Sequence, residues 1–94
     1  MPWNVYIITN KKNGVLYIGE TKNLKKRIYQ HKNKVHPSTF SARYNLNKLV
    51  YFEIHKIESD AKLREKQLKK WNRDWKIELI EKMNTYWNDL YNDL

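Results

Sequence analysis

Cysteine is absent from the sequence, which excludes disulfides and thiolate metal sites and leaves packing as the source of stability. Long apolar runs are absent too: no window approaches the roughly 18 consecutive apolar residues that cross a bilayer. The N-terminus lacks the basic-then-apolar order of a secretory signal, so the expectation is a cytoplasmic protein with no membrane partner. Acidic residues are few. Ten Asp and Glu stand against 19 Lys and Arg in 94 residues, a net charge of +9. Such a field attracts polyanions and makes their binding salt-sensitive, so nucleic acid is the expected partner. Charge alone names no chemistry, and many small basic proteins are simply soluble. Aromatic residues are plentiful: four Trp, seven Tyr and two Phe supply the packing. The length allows one domain.

Trp3 to Thr9 is a run of aromatic and β-branched residues, Asn10 to Gly14 supplies turn chemistry, and Val15 to Gly19 is apolar again. That order predicts a β-hairpin. Thr21 or Asn23 can cap a helix from Leu24 to about Lys32. The pattern lapses from Asn33 to Asn47, a loop long enough to be functional, and a third strand is expected over Leu49 to Ile57. Ser59 is placed to cap a second helix through about Trp71. A third runs from about Asp74 to Met83 with an apolar stripe of Trp75, Leu79, Ile80 and Met83. The order β-β-α-β-α-α predicts an α+β domain over residues 3–83, a small three-stranded antiparallel sheet flanked by helices. Residues 84–94 form an aromatic tail, with Tyr86, Trp87, Leu90 and Tyr91 at helical spacing, expected to fold back onto the same domain as a short helix.

Three placements carry chemistry. If the hairpin turn centres between Lys11 and Lys12, Tyr6 lies directly across from Tyr17 and Ile8 across from Val15, so two phenols share one sheet face. Gly19 ends the second strand on that face and leaves room for a phosphate to approach. An ordinary cross-strand aromatic pair would look the same. On the first helix, Leu24, Arg27, Ile28 and His31 form one stripe. Arg27 and His31 interrupt its core-facing side, where an unpaired charge is costly. They either line a cleft that meets an anion, or Arg27 snorkels to water and His31 caps the helix end. On the second helix, Glu65 is the single charge in the stripe Ala61, Glu65, Leu68 and Trp71. An inward carboxylate needs a metal or a cationic partner, Lys69 or Arg27 being the candidates.

Val5-Tyr6-Ile7, Tyr17-Ile18-Gly19, Arg27, His31 and a helical Glu65, in this order, resemble the GIY-YIG nuclease family over about residues 3–83. The likeness is greatest to its short bacterial stand-alone members, with Arg43-Tyr44-Asn45, Arg64-Glu65-Lys66 and Trp87-Asn88-Asp89-Leu90 as further matching segments. The second motif is intact, whereas the first reads Asn4-Val5-Tyr6. The resemblance implies metal-dependent endonucleolytic hydrolysis of DNA. It makes Tyr6 the general base or its relay, Tyr17 a phosphate or base contact, Arg27 the neutraliser of phosphoryl charge and His31 the group that orients Tyr6. Glu65 would hold one Mg²⁺ or Mn²⁺, an ion that keeps much of its water. The alternative is a nucleic-acid-binding module of the same fold without activity.

A tyrosine base is demanding near neutral pH, because an unperturbed phenol titrates at about 10. Neighbouring cations could lower it. Two departures from the family stand out: Glu20 replaces a lysine common after the second motif, and a late asparagine has only Asn72 or Asn84 as counterparts. Beyond the site, Lys25, Lys26 and Lys32, Arg43 and Tyr44, and Lys66, Lys69 and Lys70 are candidate substrate contacts, each also readable as a solvated surface group. Phosphate contacts position a duplex without reading it. The expected substrate is therefore structured DNA, nicked, flapped or branched, with a homodimer or protein partner adding specificity.

Overall fold

The computed structural model describes residues 2–94. Its elements are β1 (Trp3–Thr9), β2 (Leu16–Thr21), α1 (Leu24–Lys32), α2 (Phe40–Arg43), β3 (Lys48–His55), α3 (Glu58–Lys70), α4 (Arg73–Met83) and a closing 3-10 turn, Tyr91–Asp93. The strands form one antiparallel sheet in the order β2-β1-β3. This is the expected α+β fold, with a short helix, α2, inside the segment where the sequence shows no periodicity. Four residues are too few to generate one.

The hairpin register differs from expectation by two residues. Tyr6 pairs with Gly19 and Ile8 with Tyr17. The cause lies in the turn: Gly14 N–H donates to the Lys11 carbonyl at 2.9 Å, Asn13 takes a left-handed φ of 59°, and the Val15 N–H donates to Asn10 Oδ1 at 3.0 Å. Asn10 thereby holds Val15 in the loop, and β2 starts at Leu16. A shift of two preserves facing, so Tyr6 and Tyr17 still share a face, now as a diagonal pair with ring centroids 6.4 Å apart.

Alternation divides the core across the sheet. Val5, Ile7, Ile18 and Val50 pack with Ala61 and Leu68 of α3, Ile80 of α4 and Trp87. Tyr6, Ile8 and Leu49 pack on the other side with Leu24 and Ile28 of α1 and with Leu46. A register irregularity between Ile7 and Ile8 lets both Val50 and Tyr51 face the α3 side. Asn84 Nδ2 donates to the Val50 carbonyl at 3.1 Å and the Leu90 N–H to the Leu49 carbonyl at 2.8 Å, so the tail covers this part of the β3 edge. The tail is not a regular helix; Trp87 is buried, and Leu90, Tyr91 and Leu94 pack against the α1 side of the core.

Helix boundaries follow local chemistry. Asn23 caps α1 by accepting from the Lys26 N–H at 3.1 Å, and Asn72 caps α4 by accepting from the Trp75 N–H at 2.9 Å. Ser59 lies inside α3 rather than at its cap; Ile57 occupies that position without a side-chain hydrogen bond. In α4 the buried position is Ile80, while Trp75 and Met83 are exposed, contrary to the expected stripe.

Gly19 is required for a reason other than phosphate access. A Cβ built there would lie 2.5 Å from both Cζ and Oη of Tyr6. The phenol occupies the space that the missing side chain leaves. Gly19→Ala is therefore expected to destabilise the fold by about 1–3 kcal/mol, the usual cost of overpacking. A thermal melt checks this, and an unchanged midpoint would show that Tyr6 is free to move aside.

Candidate active site

The site is built on one buried phenol. Tyr6 has no exposed surface, and a buried hydroxyl hydrogen needs an acceptor. Its oxygen lies 2.9 Å from His31 Nε2, and His31 Nδ1 lies 2.7 Å from Ser41 Oγ. The Arg27 guanidinium bears on the same phenol as a positive charge, and a guanidinium accepts nothing. Tyr6 therefore donates to His31 Nε2, the ring proton sits on Nδ1, and that N–H donates to Ser41. His31 faces the sheet and not the helix end, where the Asn33 backbone makes the capping bonds. Arg27 is exposed along the same helix face.

The electrostatics match this assignment. Burial, the neighbouring Tyr17 and the charge of Glu65 raise the Tyr6 pKa, and Arg27 opposes them without prevailing. Burial, then Arg27, then His36 lower His31 to about 4. At neutral pH the pair is a protonated phenol bonded to a neutral imidazole. The expectation that nearby cations lower the phenol is thus reversed: desolvation outweighs one guanidinium.

Tyr17 and His31 line a cleft of about 440 Å³ together with Arg27, Gln30, Lys34 and Phe40. Phe40 is stacked near Tyr17 with centroids 6.3 Å apart, and Tyr44 packs on Phe40 at 4.7 Å. On the far side of β2, Tyr17 and Phe40 border a shallower groove that reaches Lys69 and Lys76. Lys69, which borders this groove at the free β2 edge, is the ion-pair partner of Glu65. Its carboxylate is half-buried, lies 3.3 Å from Lys69 Nζ and acts on both Tyr6 and Lys62. Among the described residues no three His, Asp or Glu side chains gather into a metal cluster. An ion held here would have one protein carboxylate and take its other oxygens from water and substrate, which fits Mg²⁺. Lys69, half-exposed on a flexible stem, can leave the carboxylate at little cost.

The remaining candidates divide. Lys26, Arg43 and Lys66 are exposed, and no side-chain hydrogen bond or ion pair engages them among the described residues. Lys32, by contrast, is committed to the fold: Nζ donates to the Asn47 carbonyl at 2.7 Å, pairs with Asp89 and lies over the Tyr91 ring. Glu20 faces α3 and pairs with Lys62 at 3.0 Å, with its Oε2 buried and without a partner among the described residues. Asn72 is a helix cap, and Asn84 is tied to Val50 and Asn88. Ser41, Phe40, Gln30 and Lys76 were not foreseen. Ser41 sits in a stretch without periodicity, and only the Ser and Thr content of that loop hinted at it.

Residues 2–78 match the model of the GIY-YIG catalytic domain, and the chain belongs to this nuclease family. It is similar to the UPF0213 protein CPE1444 of Clostridium perfringens, 41% identical with 81% of this chain and 80% of that protein covered. It is also similar to the UPF0213 protein SSP2268 of Staphylococcus saprophyticus, 36% identical over 81% of this chain and 90% of that protein. The solution NMR structure of the UPF0213 protein BH0048 from Bacillus halodurans superposes with a TM-score of 0.52 at 25% identity, covering 86% of this chain and 84% of that one. No helix among the described residues is long and apolar enough to cross a membrane.

The depressed His31 predicts a pH dependence of stability. Between about 6.5 and about 4 the unfolded histidine binds a proton that the folded one refuses, so stability falls as pH drops through this window and the loss is complete below it. Melting temperatures from pH 7 to pH 4 should decline less in His31→Asn than in the parent protein. Parallel declines would place the sensitivity elsewhere.

Proposed function

We propose that this protein is a metal-dependent endonuclease hydrolysing phosphodiester bonds in DNA, with its catalytic groups at the β2 edge. The observation that carries this reading is the Tyr6–His31 hydrogen bond of 2.9 Å, set against Arg27 and within reach of the charge of Glu65. Water attacking phosphorus must lose a proton. Once the substrate draws Arg27 aside and water reaches the otherwise buried Tyr6 oxygen, that oxygen accepts the proton while its own hydrogen moves to His31 Nε2, so no free phenolate is needed. His31 is a weak acceptor while Arg27 is uncompensated, because that cation helps to depress it. A phosphate bound against Arg27 offsets the charge and raises the basicity of His31 when substrate is present. Substrate binding and base strength are coupled in this way.

Arg27 neutralises charge on the phosphoryl oxygens, and Tyr17 hydrogen-bonds the phosphate or its neighbouring nucleotide. Glu65 would hold one Mg²⁺ or Mn²⁺, which supplies Lewis acidity at the phosphoryl group when bound. The strand follows the β2 edge from Arg27 and Lys34 toward Lys69 and Lys76, which provide sequence-independent contacts. Lys26, Arg43 and Lys66 extend the basic surface. Nicked or branched DNA fits such a footprint, with a dimer or partner protein as a further source of specificity, and the cytoplasm is the proposed location.

The test is cleavage of labelled linear, nicked, flapped and branched DNA in Mg²⁺, Mn²⁺ or EDTA. Tyr6→Phe, Arg27→Ala and Glu65→Gln should each lower the single-turnover rate by about 10²–10³-fold, the scale of losing one transition-state contact, with salt-sensitive binding retained. Binding without cutting by the parent protein on every substrate would instead make it a non-catalytic nucleic-acid-binding module.

A further inference from the structure

The cleft beside Tyr6 has a composition that the hydrolysis of a phosphodiester does not by itself require. Its volume of about 440 Å³ lies within the range of small-ligand pockets. Two aromatic rings, Tyr17 and Phe40, stand on its wall with an interplanar angle of 29°. Their centroid separation of 6.3 Å is at the loose end of aromatic pairs. Phe40 is 48% exposed although large and apolar, and Tyr44, which packs on it, is 46% exposed. Leaving such rings in water is unfavourable unless a ligand covers them. Two cations, Arg27 and Lys34, stand beside them, and Gln30 brings an amide that makes no hydrogen bond among the described residues.

Aromatic faces, one amide and flanking cations together match a nucleotide: rings for the base, an amide for its edge and positive charge for its phosphates. A phosphate alone would use the cations and leave the rings uncovered. A base stacked inside a duplex cannot reach the wall of a cleft, because its faces are already occupied. We infer that the cleft lined by Tyr17, Phe40 and Gln30 is a nucleobase subsite that takes one unpaired base of the DNA strand, stacked on Phe40, next to the phosphate held at Arg27. This rests on the proposed nuclease reading and narrows it: cutting occurs beside an unpaired nucleotide, in single-stranded, flapped or bulged DNA, and not within continuous duplex. Gln30, with a donor and an acceptor side by side, is the group that discriminates among bases.

The experiment uses the full chain carrying Glu65→Gln, without metal, and DNA probes with one 2-aminopurine, either single-stranded or paired in a duplex. The fluorescence of the single-stranded probe is expected to fall on binding, and that of the duplex to stay level. Adding Phe40→Ala should abolish the fall and weaken single-strand binding by about ten-fold, the scale of one lost stacking contact. Tyr86→Ala, which removes an exposed aromatic residue elsewhere, should leave both unchanged. Phe40→Leu, which keeps an apolar side chain on α2, should behave as Phe40→Ala and guards against misfolding, with the melt of each variant as control. No fall on the single strand, an equal fall on the duplex, or a fall indifferent to Phe40 overturns the subsite. Failure of the nuclease reading is told apart from this: the unsubstituted protein would cut nothing in Mg²⁺ while the Phe40-dependent signal persisted.

Discussion

A phenol that has lost all contact with water must place its hydrogen somewhere, and much of this site follows from that constraint. Tyr6 is sealed between the sheet and α1, and its ring end rests on Gly19. Burial alone would leave a costly unpaired group. His31 relieves it because α1 begins at the Asn23 cap and runs long enough to bring a residue two turns after Leu24 over the sheet. Ser41 then has to be present for the far side of that imidazole. A hydrogen bond that stabilises the core thus also joins the buried phenol to an imidazole on the wall of a cleft.

The architecture explains how groups from opposite faces of a sheet can act together. Tyr6, Tyr17, Arg27 and His31 lie on the α1 side, whereas Glu65 comes from α3 behind the sheet. A central strand would separate them. Because β2 is an edge strand, no further strand stands between the two faces on that side. Lys62 shows the same logic in reverse. It answers Glu20 on the α3 face at 3.0 Å, so the family departure at that position is balanced locally and does not reach the phenol.

Much of this arrangement was legible in the sequence, for physical reasons that differ by element. The helix from Leu24 to Lys32 could be read because a capping asparagine precedes a clear stripe, and the same stripe exposed Arg27 and His31 as anomalies. The sheet could be read from alternation, but its register could not. Asn10 traps the Val15 N–H with its side chain, an interaction that composition does not announce. Gly19 was noticed for its missing side chain, yet what fills the gap depends on the rotamer of Tyr6. Ser41 and Phe40 were out of reach because α2 is a single turn whose place depends on tertiary contacts, including the hydrogen bond that His31 Nδ1–H donates to Ser41. Lys32 was misjudged for a related reason: its partners, Asp89 and Tyr91, are almost sixty residues away in the chain.

A Tyr6 that donates its hydrogen to a neutral His31 requires the ring's own proton to sit on Nδ1. Long-range nitrogen–proton correlation spectra of ¹⁵N-labelled protein at neutral pH report the tautomer of each imidazole directly. The expected spectrum shows a His31 ring protonated at Nδ1 alone, with the pattern collapsing to the imidazolium only as the pH approaches about 4. A proton on Nε2, or a His31 already charged at pH 6.5, would mean that the phenol hydrogen goes elsewhere.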